Sequence, residues 1–149
     1  MKINYKGQEA EAYALIMKKE NALEILRGKK TVEFRNFAPK YEKMFTDFEQ
    51  IAKNQELVAA GRENECLPPF KTDIEAVHFY PYNNSWHLDV LIDEIGIVDI
   101  TEEGAKFLAD TFGCHEMDDQ WQQFAHLPKD KIPFMFYLHI DEIVGHHGL

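Results

Sequence analysis

Lys30, Glu33 and Arg35 are the residues of this chain whose types and spacing best suit chemistry. They lie in Gly28-Lys29-Lys30-Thr31-Val32-Glu33-Phe34-Arg35, which reads G-x-K-x-x-E-x-R. Side chains of a strand alternate between faces. Thr31, Glu33 and Arg35 therefore share one face, and Val32 and Phe34 the other. A carboxylate and a guanidinium side by side, just past a helix end, make a floor for a binding cleft. A buried Lys30 can act as a base, with Glu33 moving the proton. Arg35 can fork onto a phosphate or carboxylate, and Thr31 adds a spare hydroxyl. The blander reading is a set of ion pairs in which Glu33 orients Lys30 or Arg35.

The elements around this octet follow from periodicity. Glu11 to Lys18 reads as a buried strand. Asn21 to Arg27 reads as a short helix with Ala22, Leu23, Ile25 and Leu26 on its apolar side. Gly28 is suited to end it, because glycine tolerates the left-handed conformation. Lys30 to Phe34 is the next strand. A longer helix opens at Pro39 and closes at Gly61. Its stripe of Tyr41, Met44, Phe45, Phe48, Ile51 and Ala52 recurs at three and four residues and predicts core. Pro68-Pro69 makes 61–72 a loop.

Ile74 to Tyr82 and Trp86 to Ile92 flank Asn83-Asn84-Ser85 and predict a hairpin. Trp86, Leu88, Val90 and Ile92 share one face, and Ile95 to Ile100 extends the sheet. Thr101 is placed to cap a helix over Glu102 to Phe112, ended by Gly113. Asp118 is expected to cap a short helix with Trp121, Phe124 and Ala125, and Phe134 to Ile143 is the last strand. The order is β-α-β-α-β-β-β-α-α-β. Strands outnumber helices without regular crossovers, which predicts a single mixed, barrel-like α+β domain over 1–149.

Composition narrows the partners. With 16 basic and 26 acidic residues the net charge is −10, and duplex DNA would be repelled. Lys18, Lys19, Arg27, Lys29, Lys30 and Arg35 nevertheless cluster, either as a solvated face or as a local positive cleft for a small anionic or polar ligand. No apolar run is long enough for a membrane helix, and no leader is evident, so a cytoplasmic location is expected. Two cysteines, Cys66 and Cys114, suggest reduced thiols rather than a disulfide framework.

The octet, together with the run Asn21-Ala22-Leu23-Glu24-Ile25-Leu26-Arg27 before it, resembles the signature of the ASCH family. That resemblance implies a PUA-like mixed β-barrel of five to six strands with flanking helices. Compact ASCH proteins are shorter after the octet, so 37–72 is expected to be a helical insertion that forms a lid or wall. The resemblance also implies that Lys30 projects into a central cleft. In the subgroup resembling N4-acetylcytidine amidohydrolase, the proposed catalytic set is a lysine, a threonine and a glutamate. Lys30 is retained, Glu33 stands in the threonine's place, and Phe112 stands where the glutamate is expected, with Glu116 nearby.

Other candidates are weaker. His78, His87 and His139 fall in predicted strands but lack metal-ligand spacing, so no metal and no cofactor is expected. Cys114 and His115 are adjacent and do not face each other on a regular element. Tyr80, near Phe79, Tyr82 and Trp86, is a candidate stacking residue for a base. Lys30, Thr31, Glu33, Arg35 and Tyr80 thus form the expected ligand set, with Lys30 and Glu33 as the catalytic pair if turnover occurs. Three functions remain open: a domain binding a nucleotide, modified nucleoside or short single-stranded RNA; a small amidohydrolase on an acylated nucleoside; and a protein-interaction module using the insertion. Composition does not set the oligomeric state.

Overall fold

A computed structural model describes residues 1–149. The chain is α+β. Six strands run as β1 (Lys2–Tyr5), β2 (Gln8–Ile16), β3 (Val32–Asn36), β4 (Ala76–Tyr80), β5 (His87–Asp99) and β6 (Phe134–His147). The helices are α1 (Lys19–Leu26), α2 (Pro39–Phe45), α3 (Phe48–Ala59) and α4 (Glu102–Phe112). The strands form one mixed sheet in the order β1-β2-β4-β5-β6-β3. Only β2 and β4 are parallel; the other neighbours are antiparallel. The two end strands, β1 and β3, do not pair, so the sheet is not closed.

Several expectations shift here. β1 was not foreseen; Lys6 and Gly7, both at positive φ, turn it back onto β2. The two strands expected over 86–92 and 95–100 are one, β5, with irregularities at Asp89/Val90, Leu91/Ile92 and Ile92/Glu94. A bulge bends a strand without ending it. The single helix expected from Pro39 is two. Asp47 caps α3 by accepting from Gln50 N at 3.0 Å, and Thr46 bridges to Phe70. The apolar stripe divides accordingly: Tyr41 and Phe45 are buried, whereas α3 buries no residue and leaves Phe48 54% exposed. The short helix after α4 is a 3-10 turn over Gln120–Phe124 without a side-chain cap. Thr101 does cap α4, accepting from Gly104 N at 3.0 Å.

The main core joins Leu15, Val77, Phe79, Leu88, Val90, Phe136 and Leu138 from the sheet with Ile25 of α1 and Phe45 of α2. Trp86, Leu88, Val90 and Ile92 are all buried, as their alternation requires. Phe45 is the aromatic hub, at 5.2 Å from Tyr13, 5.9 Å from Tyr41 and 5.3 Å from Phe136. A smaller core under α4 holds Val32, Val98, Leu108, Met117 and Tyr137.

Truncating the hub leaves a cavity, so Phe45→Ala should cost about 3–5 kcal/mol in urea unfolding. Phe48→Ala on exposed α3 should stay within about 0.5 kcal/mol; equal losses would contradict the break at Thr46. Tyr13 gives a pH test. Burial, with a smaller contribution from Asp73, raises its phenol from the ordinary 10.0 to about 12. The neutral phenol is favoured in the fold, so the associated stability is present below pH ~10 and lost as pH rises through about 12. Its hydroxyl has no protein partner. Tyr13→Phe should therefore reduce the alkaline decline and cost little at pH 7.

Candidate functional site

Gly28 makes the geometry of the octet possible. It ends α1 at φ +76°, and Lys29 N and Lys30 N both donate back to Glu24 O, at 2.9 and 3.2 Å. The chain then enters β3, which pairs antiparallel with β6. Glu33 lies opposite Leu138 and Arg35 opposite Phe136, both residues of the main core. Val32 and Phe34 face the smaller core. The alternation expected from sequence holds, with a consequence: the polar face of β3 is the one turned toward the main core.

Charge burial follows. Lys30 is 8% exposed and Glu33 6%. Glu33 Oε2 accepts from the Arg35 guanidinium at 3.1 Å. Glu33 Oε1 accepts from Phe34 N at 3.1 Å and lies 3.6 Å from Lys30 Nζ. Arg35 also donates to Tyr41 Oη at 3.1 Å, so α2 forms one wall of the site. Arg35 Nε is buried with no partner in the protein.

Glu116 completes the set. Lys30 Nζ donates to its two carboxylate oxygens at 3.1 and 3.2 Å. Its side chain is 43% exposed, against 7% for Lys30. The ammonium is therefore walled in by Glu33 and reached from solvent past Glu116. The sequence contains Glu116, but 86 residues separate it from Lys30, and only the turn after α4 brings them together. Phe112 stacks on His139 at 4.5 Å instead.

The structure brings Lys30, Glu33 and Arg35 together. Thr31 is half-buried beside them, its carbonyl accepting from Ile140 N at 2.8 Å. Tyr80 is elsewhere: it lies on the outer face of β4, against His78 at 5.7 Å, while its neighbour Phe79 fills the core. Tyr41 was expected only as core and is a site residue as well. Burial pushes the Cys114 thiol above its ordinary value, and a hydrogen bond from the Glu116 backbone offsets only part of the rise. A nucleophilic thiolate is disfavoured there. His139 pairs with Asp93 at 2.6 Å, apart from His78 and His87. No group of three or more His, Cys, Asp or Glu is arranged to hold a metal. A cavity of about 630 Å³ between α3, the 67–75 segment and β5 does not touch Lys30.

Removing Glu33 takes from the buried Arg35 its carboxylate and leaves Lys30 only Glu116, so Glu33→Ala should cost about 3–5 kcal/mol. Glu116→Ala leaves Lys30 its partner Glu33 and removes a half-exposed carboxylate, for about 1 kcal/mol or less. Urea unfolding of the two variants checks the ranking; a larger loss at Glu116 would make Glu116, not Glu33, the anchor.

Compared with known protein families, curated proteins and solved structures, the chain matches none of the three.

Proposed function

We propose that this chain is an ASCH/PUA-like domain that binds a nucleotide, a modified nucleoside or a short single-stranded RNA at Lys30, Glu33 and Arg35. The observation that carries the reading is a lysine 8% exposed whose only solvent-side partner is the half-exposed Glu116. An ionisable group buried against specific charge partners marks a candidate functional site. A ligand that displaces Glu116 meets an ammonium donor, and Arg35, which shares Glu33 with Lys30, carries a further unpaired donor at Nε. Carbonyl and phosphoryl oxygens are the complementary groups. The net charge of −10 favours a small ligand over a long polyanion.

A second reading, an amidohydrolase on an acylated nucleoside, gains support from Glu116. It stands four residues beyond Phe112 in sequence, yet its carboxylate reaches Lys30 at 3.1 Å. Lys30 would then activate the reacting group and Glu116 carry the proton. The interaction-module reading draws on the exposed Phe48, Val58 and Leu67 of 48–67.

A thermal-shift screen against nucleosides, nucleotides and acylated cytidines tests all three. Ligand at 100 times Kd adds about 2.7 kcal/mol, a rise in Tm of roughly 5–11 °C for a domain of this size. Lys30→Met, which keeps the bulk of the side chain, should abolish the shift. A Lys30-dependent shift with product on chromatography supports the hydrolase, and one without product the binding domain. The absence of any shift would count against both and turn attention to the insertion.

A further inference from the structure

Three histidines on the opposite face of the sheet play no part in the Lys30 site. His78 of β4, His87 of β5 and His147 of β6 lie abreast on adjacent strands. Their ring centroids are 5.2 and 5.9 Å apart and their planes 28° and 24° from parallel. Asp89 lies beneath them, 8% exposed. Its Oδ1 is 2.5 Å from His78 Nδ1 and its Oδ2 3.9 Å from His87 Nε2.

The surroundings leave the ladder with one counter-charge. β4 adds only Tyr80, at 5.7 Å from His78. On the far side of β4, the β2 partners of His78 and Tyr80 are Ala14 and Ile16. On β6, Gly145 faces Asp89 and His147 faces His87, while His146 alternates to the other face. Two of the three imidazoles therefore reach one carboxylate, and His147, stacked on His87, has none within ion-pairing distance.

The third ring is attached to a close contact. Beyond His147, Gly148 sits at φ +76°, where an added Cβ would come within 2.5 Å of Ser85 O and 3.2 Å of Trp86. Leu149 packs against the main core that holds Trp86. Residues 145–149 thus run as a strap over the hairpin end, and Trp86 is 4% exposed.

We propose that His78, His87 and His147 make this strap sensitive to protonation. Neutral imidazoles can lie abreast. A first proton, on His78, is matched by Asp89. Further protons on His87 and His147 place like charges within 6 Å of each other with no second carboxylate in ion-pairing distance, and their repulsion lifts 145–149 off β5 and Trp86. The strap is therefore seated where the imidazoles are neutral and loosened where they are protonated.

Amide hydrogen exchange, corrected for intrinsic rates, tests this on the full chain. Between pH 7.5 and 5.0, protection at 145–149 should fall at least tenfold while protection in α1 and β3 is kept. Trp86 fluorescence, read in a Trp121→Phe background, should shift to longer wavelength over the same range. His87→Gln/His147→Gln, which cannot take up the extra protons, should keep its protection at pH 5.0. His147→Gln alone, which removes only the outermost ring, should lose most of the effect and serves if the double variant does not fold. Unchanged protection in the wild type, an equal fall in the variants, or a fall spread over the whole chain would each overturn the proposal.

Discussion

A carboxylate turned into a hydrophobic interior must bring its counter-charges with it, and Glu33 imposes that requirement on much of this molecule. Its two oxygens need Lys30 from before the strand and Arg35 from two residues beyond. Lys30 can arrive only because Gly28 reverses the chain after α1. Arg35 needs a second partner, which α2 supplies as Tyr41. Tyr41 in turn stacks on Phe45, the ring around which the main core is assembled. The charge cluster and the aromatic hub are thus one continuous structure.

How much of this could be read from residue types depends on the range of the interaction. The helix-glycine-strand succession at 21–35 is local, and so are the alternation of Val32 and Phe34 against Glu33 and Arg35, the Thr101 cap, and the four-residue face of Trp86, Leu88, Val90 and Ile92. All were legible. The orientation of the alternation was not. Nothing in 28–35 says whether the charged face meets solvent or core; β6, a hundred residues on, decides it by placing Leu138 and Phe136 opposite. Glu116 was visible as a residue but not as a partner, for the same reason. Period two could assign Tyr80 to a face of its strand but could not tell that this face lies away from Glu33.

Two misreadings had local signals that periodicity overrode. Asp47 followed three residues later by Gln50 has the form of a helix N-cap, yet the three- and four-residue apolar spacing ran straight through it. The break at Thr46 lets α2 bury its aromatics while α3 turns its own outward. Lys6-Gly7 between two extended runs had the form of a tight turn and joined β1 to β2. Asp93-Glu94, by contrast, looked like the end of a strand. They instead sit at a bulge, where an extra residue is accommodated and two acids are directed onto His139 and Tyr137.

The position of β3 at the end of the sheet carries one more consequence. A terminal strand exposes backbone donors and acceptors that another chain can extend, and charges pointing inward are a recognised guard against such growth. Slipping β3 by one residue against β6 would drive Val32 and Phe34 into the place of Glu33 and Arg35 and expel both charges from their partners. The ion pairs therefore fix the strand's alignment as firmly as they hold its side chains. The same cluster that balances charge in the interior keeps the rim of the sheet from becoming a template for its own copies.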